Sequence, residues 1–283
     1  MSSNNSNVDQ IKYWNSQAGE QWVKGRESMD KTLFEFGQLA IDALNLSSGN
    51  KVLDIGCGCG GTSFSLATKV ADGRVEGVDI SEPMLAHAKE RRVALDIGNV
   101  DFIKGDAAVK LFSPQSFDRV FSRFGVMFFD DPVSAFKNIR SSLKSAGKLS
   151  FVCWRQASEN QWTMVPTKAA LKYVTIPNAA DKNAPGPFAF ADKVRTASIL
   201  EQAGFKNVVV EAKNLPMRFP IVEGKSLGQQ FAEIGPVGRI VATADDDVKQ
   251  QVMESMTAAL QEFVNGSQVE MDGAVWLVTA DNE

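Results

Sequence analysis

The sequence predicts an α/β fold in which a mostly parallel sheet is covered by helices on both faces. Three observations carry that expectation. Short apolar runs alternate with helical patterns from Lys51 onward, and a glycine-rich stretch follows the first run directly. Acidic residues stand at the ends of the runs: Asp54 in the first, Asp79 closing the second and Asp106 just past the third. Alternation of strand and helix implies right-handed crossovers, which place helices on both faces of a parallel sheet. Ligands then bind beyond the carboxyl ends of the strands, near the point where strand order reverses. The residues immediately after each strand are therefore the candidates for function.

The elements follow in order. Lys51–Ile55 (KVLDI) is a compact strand signal, followed by a glycine-rich turn and a helix over 62–70. A second strand is predicted at 75–79. Ser81 then caps a helix with Pro83 in its first turn, running to about Arg92. Val100–Lys104 is a third strand and 117–122 a fourth. Asp131 and Pro132 open a helix in which Val133, Phe136, Ile139 and Leu143 keep helical spacing; Gly147 marks the turn after it, and 148–154 is a fifth strand. The second half is less regular. Residues 177–191, rich in Pro, Ala and Asn, read as a loop; 192–203 is a helix ended by Gly204; 208–212 and 273–279 are strands. Between those strands, Val248, Val252, Met256, Leu260 and Phe263 recur at helical spacing. An insertion of that length is expected to be a functional lid or a packing subdomain.

Composition narrows the function classes. The chain has 283 residues and a net charge of −4, a poor match for phosphate backbones, so no nucleic-acid partner is expected. The basic cluster Lys89, Arg91 and Arg92 is interrupted by Glu90 and reads as a solvated helix face. No apolar run approaches the roughly 18 residues of a membrane span, and the polar start of the chain does not resemble a signal peptide. Three cysteines give no disulfide framework, which suggests a reducing, cytoplasmic setting. The single histidine, His87, reads as an exposed helix residue. It rules out a histidine-rich metal centre, and Cys57 and Cys59 lack zinc-finger spacing, so no metal is expected.

The central motif is Asp54-Ile55-Gly56-Cys57-Gly58-Cys59-Gly60-Gly61. Glycines after a strand let the backbone turn sharply and approach a ligand without a Cβ in the way. Gly56, Gly58 and Gly61 also satisfy the GxGxxG fingerprint of dinucleotide enzymes. Asp54 argues against a pyrophosphate and suits a ligand bearing ammonium and sulfonium groups. Asp79 can accept from ribose hydroxyls under either reading. Asp106 can accept from an adenine amino group, and the Ala107 N–H can reach a ring nitrogen. Ser122, Arg123 and Phe124 end the fourth strand and are expected to line the pocket floor, with an ion-pair role open for Arg123. Cys57 and Cys59 read as small residues in a tight loop.

At these residues the chain resembles a known family. DIGCGCG at 54–60, GVDI at 77–80 with Met84, GDA at 105–107 and FDRVFSRF at 117–124 look like the successive motifs of class I S-adenosylmethionine-dependent methyltransferases. The likeness is to the small-molecule branch with the ubiquinone/menaquinone C-methyltransferases. Tyr13-Trp14-Asn15 and Gly19-Glu20-Gln21-Trp22 look like the helix that covers the cofactor there. The resemblance implies a Rossmann-like, doubly wound, seven-stranded sheet, mostly parallel with one antiparallel strand, plus a helical lid insertion at about 216–266. It implies one domain, 1–283, with cofactor-covering helices in 1–48, a cofactor-binding core in 49–155 and the substrate side in 156–283. S-adenosyl-L-methionine is the implied cofactor, held by Trp14, Trp22, Asp54, Gly56, Cys57, Gly58, Gly60, Asp79, Ile80, Met84, Asp106, Ala107, Ser122, Arg123 and Phe124. No general base is singled out. The apolar stretch around Phe124, Met127, Phe128, Phe129, Trp154 and Trp162 favours an apolar or aromatic small-molecule acceptor, and a monomer or homodimer is expected. The competing expectations are an NAD(P)-dependent oxidoreductase and a non-catalytic protein that binds a partner through its lid.

Overall fold

The computed structural model describes residues 7–175, 181–234 and 237–283, which divide into two compact units. The first takes its residues from 1–154, 183–213 and 275–283, the second from 155–182 and 214–274.

In chain order the first unit begins with helices α1 (Val8–Trp14), α2 (Gln17–Thr32) and α3 (Phe34–Asp42). Strand β1 (Lys51–Ile55), helix α4 (Gly61–Lys69), strand β2 (Arg74–Asp79), helix α5 (Glu82–Ala94) and strands β3 (Val100–Lys104) and β4 (Phe117–Arg123) follow. Helix α6 (Pro132–Ser142) starts on an Asp131 carboxylate that accepts from the Ser134 N–H at 3.0 Å, a side-chain cap of the kind the Asp-Pro pair predicts. It leads into β5 (Leu143–Trp154). The expected turn at Gly147 lies inside this strand. Ala146 takes φ 60°, and the β4–β5 register shifts between Phe117 and Arg119, so the backbone bulges and continues instead of turning.

The second unit contributes α7 (Gln161–Ala170). After it come α8 (Lys193–Gln202), in the first unit, and β6 (Lys206–Pro220). Helices α9 (Leu227–Ile234), α10 (Val237–Ala242) and α11 (Asp246–Leu260) precede β7 (Val264–Asn265) and β8 (Gln268–Asn282). Strands β6 and β8 give residues to both units and are far longer than the five- and seven-residue runs expected at 208–212 and 273–279. Part of the expected loop at 177–191 lies outside the described residues, and 181–191 carries no helix or strand. Among the described residues, no helix is long and apolar enough to cross a membrane.

The sheet runs β3-β2-β1-β4-β5-β8-β6, with β7 paired to β8. Pairings β3–β2, β2–β1, β1–β4 and β4–β5 are parallel, and β8 is antiparallel to β5. The sheet therefore has eight strands instead of the expected seven. The extra one is β7, which forms a hairpin with the start of β8 through Gly266 at φ 60° and Ser267. Strand order reverses at β1, whose neighbours are β2 and β4, so the crevice opens at the carboxyl ends of β1 and β4. β1 is central: Val52, Leu53 and Ile55 are buried, as a strand covered on both faces requires.

In the second unit α11 packs on α7 and α9, and Val252, Met256 and Leu260 form its buried stripe, the four-residue spacing visible in the sequence. The Ser255 hydroxyl donates to the Ala169 carbonyl at 3.1 Å, and the Gly228 N–H donates to the Thr257 hydroxyl at 2.9 Å.

Candidate cofactor site

The loop after β1 is pinned before it is shaped. The N–H groups of Gly56 and Cys57 donate to the Val78 carbonyl of β2, at 2.8 and 3.2 Å. Gly56, Gly58 and Gly60 all have positive φ, 70°, 53° and 81°, where a side chain would be strained. Two of them are also crowded. A Cβ on Gly60 would sit 2.7 Å from the Phe102 ring, and one on Gly56 would sit 2.8 Å from the Gly125 Cα. Gly58 differs: a Cβ there would meet only the Met84 sulfur, at 3.6 Å, so the space beside Gly58 is bounded by Met84. Gly60 also stands at the start of α4 and accepts from the Phe64 N–H.

Three carboxylates surround this loop. Asp54 is fully buried; one oxygen accepts from the Thr62 and Ser63 hydroxyls, at 2.9 and 2.6 Å, while Oδ1 is buried with no hydrogen-bond partner. Burial pushes its carboxyl up to about 6, against the two hydroxyls and nearby Arg123, which lower it. Asp79 accepts from the Gly58 N–H through one oxygen and from the Ser81 N–H through the other, both at 2.8 Å. Burial raises it as well, offset by those backbone donors. Asp106 accepts from the Ala108 N–H at 2.9 Å, which closes the turn after β3, yet its Oδ2 is buried without a partner. Ala107 is buried, and its carbonyl accepts from Asn138 at 2.9 Å. Native interiors leave few polar atoms unsatisfied. Two carboxylate oxygens, of Asp54 in β1 and of Asp106 just after β3, are thus left without a donor.

The N-terminal helices meet the same edge of the sheet. Asn15, just past α1, donates to the Ile80 carbonyl and accepts from the Glu82 N–H, both at 2.9 Å. The Ser81 hydroxyl donates to the Trp14 carbonyl at 2.8 Å. Ser81 stands at the N-cap of α5 with proline in the first turn, as the sequence predicts, but its hydroxyl makes no side-chain cap and donates to α1 instead. The Trp14 ring makes edge contacts with Trp22 and Phe128, at 6.0 and 5.4 Å between centroids. Trp14, Trp22 and Ile80 are half-buried.

The residues closing β4 separate into different tasks. Ser122 donates to the Ile55 carbonyl at 2.8 Å and accepts from the Gly125 N–H at 3.2 Å, so its hydroxyl ties β4 to β1. Of the two roles open for Arg123, the ion pair is the one observed: its guanidinium lies 3.1 Å from Asp30 of α2. Phe124 takes φ 61°, rare for an aromatic residue, and stacks on Trp154 at 4.2 Å and 12° with Phe36 alongside. That cluster is an apolar wall at the ends of β4 and β5.

Two further sequence readings change. His87, expected on an exposed face, is half-buried; its Nδ1 lies 3.6 Å from Glu90, and burial lowers its pKa. Arg91, read as part of a solvated face, donates to the Cys59 carbonyl at 2.7 Å and pairs with Asp30 at 3.3 Å. Cys57, Cys59 and Cys153 are free and buried, with Cys59 pushed up to about 12 by burial, which leaves an inert thiol. Sequence reasoning missed Asn15, Asp30 and Arg91 as site residues. Asn15 sits inside the quoted Tyr13-Trp14-Asn15 run, but Asp30 belongs to no motif.

Known proteins resemble the chain in sequence and in fold. Over 109 residues the chain is 37% identical to phosphoethanolamine N-methyltransferase 1 of Arabidopsis thaliana, a match covering 38% of this chain and 22% of that protein. Over 180 residues it is 29% identical to demethylmenaquinone methyltransferase of Staphylococcus saprophyticus, covering 60% of this chain and 76% of that one. The matches span 22, 23 and 31% of the length of the first three curated relatives. The structure of Haemonchus contortus phosphoethanolamine N-methyltransferase 2 in complex with S-adenosyl-L-methionine shares the fold, with a TM-score of 0.57 at 17% identity, over 92% of this chain and 57% of that one. The profile of the methyltransferase domain family matches residues 46–204, more than half of the chain, and with the glycine loop and the acidic strand ends in place the chain belongs to that family.

Proposed function

We propose that this chain is an S-adenosylmethionine-dependent methyltransferase that moves a methyl group to a small, apolar or aromatic molecule by in-line displacement. The observation that carries the reading is the pair of unpartnered buried oxygens, Asp54 Oδ1 and Asp106 Oδ2, on either side of the Asp79–Gly58 bond. An orphaned buried carboxylate is costly unless a donor meets it. The cofactor offers an ammonium, ribose hydroxyls and an adenine amino group, which suit Asp54, Asp79 and Asp106 in that order.

When bound, S-adenosylmethionine supplies a methyl group on a sulfonium with an excellent leaving group. The chain's task is then mainly positioning, which in favourable cases lowers a barrier by roughly 7–11 kcal/mol. Gly56, Gly58 and Gly60 bring backbone close to the ligand, with Cys57 filling the loop. Met84 and Ile80 supply apolar contact beside Asp79, and the Ala107 N–H serves a ring nitrogen. Trp14 and Trp22 cover the site and exclude water. Ser122 and Arg123 hold its frame, and Phe124 with Trp154 gives the acceptor side an apolar wall. In this reading the chain works as one domain: residues 1–48 cover the cofactor, 49–155 bind it, and 156–283, with the insertion at 216–266, select the acceptor. The setting is cytoplasmic, as a monomer or homodimer, with no nucleic-acid partner.

Calorimetry tests the cofactor, with NADH as the control. Micromolar binding of S-adenosylmethionine and none of NADH is expected; a folded sample that ignores millimolar S-adenosylmethionine would sink the proposal. Transfer of a labelled methyl group to a panel of quinols, phenols and small amines then assigns the acceptor.

A further inference from the structure

The N-terminal helices are tied to α5 and to the strand ends at two places. One tie is on the β2 side, where Asn15 and the Trp14 carbonyl meet Ile80, Ser81 and Glu82. The other is near the end of α2, where the Asp30 carboxylate lies between two arginines. Arg123, at the end of β4, is 3.1 Å from one oxygen, and Arg91, on α5, is 3.3 Å from the other. Helix α5 takes part in both ties, through Glu82 in the first and Arg91 in the second, and the second also reaches the end of β4 through Arg123.

Asp30 is also seated against the start of α4. A Cβ on Gly61 would come within 2.6 Å of its Oδ1, so the carboxylate sits where only a glycine admits it, at the positive end of that helix. Arg91 donates to the Cys59 carbonyl at 2.7 Å and thereby joins Asp30 to the loop itself. The three side chains are partly buried, at 27% exposure for Asp30, 25% for Arg91 and 13% for Arg123. A cleft of about 160 Å³, lined in part by Phe34, Gly61, Thr62 and Ser65, leaves the outer side of the cluster open. The cluster therefore borders solvent and lies outside the core.

We propose that Asp30 is a positioning residue for the cofactor: by bridging Arg91 and Arg123 it latches α2 onto α5 and the end of β4 and sets how long the cofactor stays bound. This rests on the proposed cofactor. Two cations share one carboxylate, so without Asp30 the arginines lose the group that bridges them, Arg123 keeps only the nearby Asp54, and the arrangement that seats α2 loses its centre. The apparent affinity of a ligand enclosed by a latched segment scales with the latched fraction, so weakening the latch shortens cofactor residence although Asp30 itself need not touch the cofactor.

The test compares wild type, Asp30→Ala and Asp30→Glu by two measurements. One is the dissociation rate of S-adenosylmethionine; the other is hydrogen exchange of 17–32 without cofactor. Asp30→Ala is expected to release the cofactor about tenfold faster and to exchange α2 amides about tenfold faster, with β1 and α4 protected as in wild type. Asp30→Glu, which keeps the charge, restores both to within about threefold. If alanine prevents folding, Asp30→Asn takes its place. Release and α2 exchange within twofold of wild type overturn the latch. If wild type itself binds no S-adenosylmethionine, the proposed function falls separately; α2 exchange then decides the latch, with faster exchange upholding it and unchanged exchange overturning it.

Discussion

The glycine loop with its acidic strand ends, and the helical segment of α7, α9 and α11, solve different physical problems. In the helical segment the side chains are consumed by packing. Val252, Met256 and Leu260 are fully buried, and charged groups such as Lys225 and Glu233 pair on the surface. Around the loop, stability is given up instead. Three consecutive alternate glycines hold left-handed backbone, Phe124 does the same, and two carboxylate oxygens are buried unpaired. Such departures cluster at functional sites. The contrast locates function more sharply than residue type does, because acidic residues are plentiful in both places.

The largest effect that sharpens this contrast is expected at Asp79. Asp79→Ala removes the acceptor of the Gly58 and Ser81 N–H groups together with the proposed ribose contact, and should weaken S-adenosylmethionine binding about a hundredfold by calorimetry.

Next is the pH response of Asp54. Its folded pKa, about 6, lies above the ordinary 3.8, so folding favours the protonated form. That contribution is complete below about pH 4 and is lost as pH rises through 6, a fall of up to about 3 kcal/mol in the stability of the free protein. Burial raises Asp79 too, in the same direction. A cationic ligand favours the ionised form, so cofactor affinity should climb about tenfold between pH 5 and 7 and then level off. Asp54→Asn should remove the step from both urea titrations and calorimetry; a step of undiminished size in that variant would assign the titration elsewhere.

Gly60→Ala comes third. It forces a side chain to φ 81° and a Cβ against Phe102, and should cost about 2 kcal/mol in urea denaturation with a loss of affinity of about fivefold. The smallest effect on binding is expected from Met256→Ala in α11. It should destabilise by about 3 kcal/mol, as buried truncations do, yet leave cofactor affinity within twofold. A large affinity loss there would break the comparison.

Legibility in the sequence followed the range of the interactions. The Val100–Lys104 strand appears with the predicted bounds, α4 and α6 start beside their expected residues, and the stripe of α11 keeps its spacing, because each is set by neighbours within a few positions. Gly147 misled because glycine marks both turns and bulged strands, and only pairing with β4 distinguishes them. The hairpin at Gly266-Ser267 went unread, because the two-residue strand before it is too short for any period to register.

The sequence by itself determined the alternation of strands and helices, the glycine loop, and the acids at the strand ends, since periodicity, backbone freedom and charge are local properties. Only the tertiary structure decided what those groups touch. Asp30 meets Arg91 and Arg123 across 61 and 93 positions, and Ser81 reaches Trp14 across 67. Those partners are chosen by the tertiary fold, in which the strand order brings the ends of β2, β1 and β4 side by side and α2 packs on α5. A one-dimensional pattern records which residues can donate or accept; the fold records which are left with nothing to accept from, and for Asp54 and Asp106 that is where the chemistry points.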